Sequence, residues 1–175
     1  MSTTTYETIK VDFTPPGEGG RAQVQYCDNN DQPLTARPTV TNGTSKVFTL
    51  KLVQNNGWFF YAISFWGGGK NPSGDGITQS VLSQAFLDGW YKGSARLALS
   101  GEQPYTYITN INVNRDSSNH SNTEISFTVN NTNASQAGRV ALELTFTNST
   151  DQCKQTLFFT GRDPEIELLK NPTGG

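Results

Sequence analysis

Hydrophobic and polar residues alternate with period two in short runs along most of this chain, the pattern of half-buried β-strands. Ile9, Val11 and Phe13 alternate with Thr8, Lys10 and Asp12 until Pro15-Pro16-Gly17 stops the run. Ala22, Val24 and Tyr26 follow, closed by Asp28-Asn29-Asn30-Asp31. Phe48, Leu50 and Leu52 alternate with Thr49 and Lys51, and Asn55-Asn56-Gly57 is a hairpin-type turn signal. Trp58 to Trp66 is apolar in both phases, which predicts a central strand covered on both sides. Strict alternation would put Trp58, Phe60 and Trp66 on one face and Phe59, Tyr61 and Phe65 on the other.

The periodicity then stops. Gly67-Gly68-Gly69-Lys70-Asn71-Pro72-Ser73-Gly74-Asp75 reads as a loop. Beyond it, Ile77, Val81, Leu82, Ala85 and Phe86 have helical spacing, with Thr78, Gln79, Ser83 and Gln84 opposite. Asp75 is placed to cap the start and Gly89 the end, so one short helix is expected over 77–88. Strand signals resume with Ala95, Leu97 and Leu99, then Tyr105, Tyr107, Ile111 and Val113, then Ile125, Phe127 and Val129. Val140, Leu142, Leu144 and Phe146 alternate most cleanly; Leu157 with Phe159, and Ile166 with Leu168, end the series. About nine strands joined by turn-rich loops predict an all-β chain, an antiparallel β-sandwich of jelly-roll type. It reads as a single domain over 1–175, with 67–93 as an insertion and 163–175 as a docked tail.

Composition supports the β reading. Of 175 residues, 22 are Thr, 16 Asn and 14 Ser, while charged residues are only 16%, against roughly 25% in an average soluble domain. Thr and Asn are poor helix formers. The 19 aromatics suit a pleated surface better than a helix. A net charge of −2 with 13 scattered basic residues argues against nucleic acid, which needs clustered cations. No run approaches the length of a membrane helix. Met1-Ser2-Thr3-Thr4-Thr5 has neither the basic nor the apolar region of a signal peptide. As written the chain reads as cytoplasmic, with another export route or a cut precursor left open. In that compartment Cys27 and Cys153 read as two buried thiols rather than a disulfide. Five Asn-x-Ser/Thr triplets (at Asn42, Asn119, Asn130, Asn133 and Asn148) exceed chance only slightly in so Asn- and Thr-rich a chain.

Motifs for catalysis are sparse. The single His120 lies in the polar turn Ser117–Asn122, with no nucleophile motif beside it. Gly67–Lys70 fails the phosphate-loop pattern at both ends, since Lys70 is followed by Asn71 and position 64 is Ser64. Two distant cysteines and one histidine make a poor zinc set. Calcium needs only loop oxygens. Asp28 and Asp31 form the densest such cluster, although Asn and Asp fill turns for backbone reasons as well. Carboxylate pairs for glycoside hydrolysis are spatial, and Glu143 takes the outward phase of its run.

The aromatics are the most informative chemistry. Trp66, Trp90 and Tyr91 flank glycines and polar turns, where exposed rings stack on sugars and nearby amides or carboxylates, such as Asn71 and Asp75, take the hydroxyls. Core packing is the competing account, and it dominates for Trp58 to Phe65. Two roles follow. The first is a non-enzymatic recognition or assembly module acting through loop aromatics and strand edges on a protein partner or on itself, with Phe158-Phe159 as an apolar patch. The alternative is a carbohydrate-binding, lectin-like protein taking a glycan, with calcium as an assisting ion and no other cofactor.

The C-terminal Thr160-Gly161-Arg162-Asp163-Pro164-Glu165-Ile166, followed by Asn171-Pro172, resembles the ending of the DP-EP family, a small bacterial family with Asp-Pro and Glu-Pro dipeptides near the C-terminus. The shared motif is Asp163-Pro164-x-Ile166; Asn171-Pro172 stands where Glu-Pro would be expected. The resemblance implies a compact β-sandwich and carries no activity or functional residue with it. Independently, Asp163-Pro164 favours an extended turn, from which Ile166 and Leu168 would dock a last strand.

Overall fold

The computed structural model describes residues 3–17, 22–53, 57–68, 81–87, 95–99, 108–115, 122–131, 138–149, 156–161 and 164–169. Strand β1 (Thr4–Thr14) shows how the alternation becomes structure. Ile9, Val11 and Phe13 are buried, while the intervening side chains turn outward. The same holds for β4 (Thr44–Leu52), whose Phe48 and Leu50 are buried, and for β9 (Asn122–Asn131), whose Ile125, Phe127 and Val129 are buried. With β2 (Gln23–Cys27) and β8 (Ile108–Arg115) these form one sheet, in the order β2-β1-β4-β9-β8.

The second sheet runs β3-β12-β10-β5-β6-β7, and β11 also pairs with β10. Its strands are β3 (Thr39–Val40), β5 (Phe59–Gly68), β6 (Val81–Leu87), β7 (Ala95–Leu99), β10 (Gly138–Thr147), β11 (Leu157–Phe159) and β12 (Glu165–Leu168). The apolar faces of the two sheets meet in one core that contains residues of both, so the chain is a β-sandwich. Phe13 of β1 stacks on Phe146 of β10 with ring centroids 4.2 Å apart, and Phe65 of β5 meets Phe127 of β9 edge-on at 4.8 Å. Ile166 and Leu168 on β12 close one end of this core.

The structure differs from the alternation-based expectation in several ways. First, residues 81–87, expected in the helix over 77–88, form strand β6, which pairs with β5 and β7; 77–80 and 88 lie outside the described residues. The spacing that fits a helix also fits period two, since Ala85 and Leu87 are both buried. In so short a run the open edge of β5 decides between the two. Second, the sandwich is mixed rather than antiparallel: β1 pairs parallel with β4, and β12 parallel with β3. Between β1 and β4 the chain passes through β2 and crosses to β3 in the other sheet, so it re-enters the first sheet in its starting direction. The strand count among the described residues is twelve rather than nine.

Third, β5 does not keep strict phase. Thr145 of β10 stands opposite Ala62 but Phe146 stands opposite Phe60, which leaves Tyr61 as an extra residue. The bulge shifts Phe60 onto the face of Ile63 and Phe65, and all three are fully buried. Trp58 packs against that same core.

At one pole, the turn Thr41–Thr44 has Gly43 at a φ of 77°, a left-handed conformation natural to glycine. Gly43 N–H donates to Asn131 C=O at 2.7 Å. The buried Asn131 amide in turn donates to Val40 C=O at 2.8 Å and Leu169 C=O at 2.9 Å. These contacts tie the end of β9 to the ends of β3 and β12. Because β9 and β12 end together, and β11 and β12 are both antiparallel to β10, strands β2 and β11 run in the same direction.

Two substitutions test this account by urea denaturation. Phe146→Ala removes the ring that bridges the sheets and is expected to cost about 3–5 kcal/mol. Asn131→Ala removes the amide that donates to Val40 C=O and Leu169 C=O, while Val40 C=O keeps the Leu169 N–H, and is expected to cost about 0.5–1.5 kcal/mol.

Candidate functional site

Among the described residues, the two sheets leave an opening along the side where β2 and β11 lie. Both are edge strands: β2 pairs only with β1 and β11 only with β10 among the described strands. Between them lies an opening of about 240 Å³ lined by Phe13, Ala22, Val24, Tyr26, Phe146 and Phe158, with Phe159, Thr160 and Gly161 at β11. None of these nine residues is charged. Phe158 is half-buried against Phe13 (6.1 Å) and Trp58 (5.3 Å), so it belongs to the core. Its neighbours take the opposite phase: Leu157 is 36% exposed and Phe159 67% exposed. A free edge with an exposed ring is unusual, because natural edges carry charge, proline or a cover.

The turn after β2 explains why the edge stays short. Asp28 Oδ1 accepts hydrogen bonds from the N–H groups of Asn30 (2.8 Å) and Gln32 (3.0 Å), folding 28–32 into a tight turn. Asp28 N–H donates to Gln32 C=O at 2.8 Å, and Leu34 N–H to Tyr26 C=O at 2.9 Å, so the chain returns along β2 for one rung at Cys27 and Pro33. It then swings away through Thr35–Pro38 and leaves a groove of about 580 Å³ between that segment, Val24–Tyr26 and Pro164–Glu165.

An ion triad holds the far wall of the groove. Buried Glu165 Oε2 lies 2.9 Å from Arg139 Nη1 and 3.0 Å from Arg37 Nε. Arg139 projects from β10 and Arg37 from the returning segment, so one carboxylate fastens that segment to the second sheet. Asp31, at a φ of 60°, pairs with Lys10 Nζ at 2.7 Å.

The sequence-predicted residues are thus distributed as follows. Asp28 and Asp31 share one turn, with the Asp28 carboxylate on turn amides and the Asp31 carboxylate on a lysine. Among the described residues, no three His, Cys, Asp or Glu side chains gather where they would hold a metal. Trp66 lies half-buried on β5, opposite Ala141 of β10. Trp90, Tyr91, Asn71 and Asp75 lie outside the described residues, as do His120 and Cys153. The thiol of Cys27 is free and half-buried at the end of β2. Phe159, named as half of an apolar patch, sits at the seam. Val24, read in the sequence only as one position of an alternating run, lines the opening.

Among the described residues the chain is a mixed β-sandwich with an opening between β2 and β11. No family model matches the chain, and no curated protein matches it. Among solved structures it is similar to murine CRIg at 11% identity and a TM-score of 0.42, covering 74% of this chain and 87% of that one.

The triad has a measurable signature in thermal or urea unfolding. Glu165→Ala strands the buried Arg139 charge and is expected to cost about 3–5 kcal/mol. Arg37→Ala, at the half-exposed end, is expected to cost about 1 kcal/mol or less. Equal losses would contradict this division of roles.

Proposed function

We propose that this chain is a non-enzymatic recognition or assembly module that docks a polypeptide strand along the β2–β11 seam. The observation that carries this reading is Phe159, 67% exposed on a free edge strand beside an uncharged aromatic opening. Apolar surface concentrated beside open main-chain groups suits strand addition, where backbone hydrogen bonds hold the partner and a pocket selects alternate side chains. The aromatics of the seam (Tyr26, Phe158 and Phe159) are of the type that dominates binding energy once desolvated. The neutral lining favours an uncharged, apolar-alternating segment, since a charged side chain entering it would lose its water without gaining a counter-ion.

A labelled hexapeptide of alternating leucine and threonine, followed by fluorescence polarisation, tests this reading. Saturable binding is expected for the intact chain, weakened about tenfold by Phe159→Ser, a loss near 1.4 kcal/mol. A flat titration for the unaltered chain would sink the proposal.

A further inference from the structure

β11 and β12 lie end to end along one edge of β10, β11 beside Thr145–Thr147 and β12 beside Gly138–Ala141. Strand β3 covers the outer side of β12, and among the described strands none covers β11. The lane that β3 occupies therefore continues, vacant, beside β11. Thr160 N–H donates to Leu144 C=O at 2.9 Å, which turns the main chain of Phe158 and Thr160 toward β10. The main-chain groups of Leu157 and Phe159 then point into the vacant lane. Inward of β11, the 240 Å³ opening and the 580 Å³ groove share Val24 and Tyr26, so one trough follows the lane.

The lane is closed at one end. Arg37 and Pro38 lead into β3 there, and Pro38 C=O accepts from Glu167 N–H at 2.8 Å. Arg37 lines the groove, with its side chain 48% exposed. Its Nε lies 3.0 Å from Glu165 Oε2, which Arg139 Nη1 also approaches to 2.9 Å, so two guanidinium groups share one carboxylate oxygen. The terminal nitrogens of Arg37 make no hydrogen bond among the described residues. Of the other acids on that face, Glu143 is on β10, one strand further from the lane, and Glu167 stands opposite Thr39, where β3 fills it.

We propose that the vacant lane takes the C-terminal end of a partner polypeptide, added in parallel to β11, with its terminal carboxylate on Arg37. This rests on the reading of the seam as a strand-docking surface. A strand passing along the lane would run into Arg37 and Pro38, so the occupant ends there. β11 runs toward that end, from Leu157 beside Thr147 to the start of β12 beside Ala141, so a parallel strand delivers its C-terminus to Arg37. An antiparallel strand would begin there and set its ammonium group against the surplus guanidinium charge. A carboxylate instead accepts from the free nitrogens of the fork.

The register follows. Phe159 stands opposite Thr145 and Glu165 opposite Ala141, four residues or about 14 Å along β10. The partner residue beside Phe159 and two more cover about half of that interval, and the arginine side chain reaches across the rest. Phe159 N–H donates to the C=O of the partner residue beside Phe158, and the N–H of the one beside Thr160 donates to Phe159 C=O. Those two residues share the inward phase, so the first enters the opening and the second the groove near Leu34. Val24, Tyr26, Phe158 and Leu34 meet them with uncharged surface. The recognised ending is apolar–x–apolar–x with a free carboxylate. No strand is added to β2, whose outer side at Tyr26 carries Leu34.

The hexapeptide Leu-Thr-Leu-Thr-Leu-Thr, labelled at its N-terminus, tests this as the free acid and as the C-terminal amide at about 150 mM salt. By fluorescence polarisation the acid is expected to bind about three- to tenfold more tightly than the amide. Arg37→Gln is expected to abolish that difference. Direction is read by cross-linking in a Cys27→Ser, Cys153→Ser background, using the acid with cysteine as its second residue. A disulfide is expected with Leu157→Cys and not with Gly161→Cys, a position where a Cβ meets nothing within 4 Å. Equal binding of acid and amide, a difference that survives Arg37→Gln, or cross-linking at Gly161→Cys alone overturns the proposal. A chain that binds both peptides equally loses only the carboxylate capture, and one that binds neither loses the docking reading too.

Discussion

The stack of Phe13 on Phe146 is the contact on which the rest of this sandwich depends. It joins β1 of one sheet to β10 of the other at 4.2 Å, and Trp58, just ahead of β5, and Phe158 of β11 lean on Phe13. β10 is the hub of its sheet, pairing with β5, β11 and β12. A ring contact there sets the spacing of the two sheets for every strand that follows. Large flat side chains provide that spacing with little conformational freedom to lose, which compensates for a chain poor in long aliphatic residues.

The same cluster explains why the seam is open. Phe158 reaches inward to Trp58, and because side chains alternate along a strand, its two neighbours must face out. The exposure of Phe159 is therefore a consequence of core packing one residue away. On the opposite edge, the Asp28 turn returns the chain for a single rung, and the Glu165 triad then holds the returning segment away from β2. A local turn and a buried ion cluster together leave Val24 without a strand neighbour on its outer side among the described residues.

Much of this fold was legible in period-two alternation. The runs at Ile9–Phe13, Phe48–Leu52, Ile125–Val129 and Val140–Phe146 all became strands with their alternating apolar residues buried, Leu52 at the strand end only half so, because each is long enough for the period to be unambiguous. Residues 81–87 were not legible, since seven residues fit both periods and the edge of β5 decided. Phe60 was misplaced in phase because a bulge at Tyr61 depends on the partner strand. The candidate site was legible only as an apolar pair, Phe158-Phe159, and which ring faced solvent depended on where Trp58 and Phe13 stood.

By itself the sequence determined an all-β sandwich with an aromatic core, and the positions of its main strands, because alternation and turn chemistry act over a few residues. Only the tertiary structure decided the parallel pairing of β1 with β4, the strand at Val81–Leu87, and the open seam between β2 and β11. Those features depend on which edges remain unpaired after distant strands have met, and pairing across long stretches of chain leaves no local pattern to read.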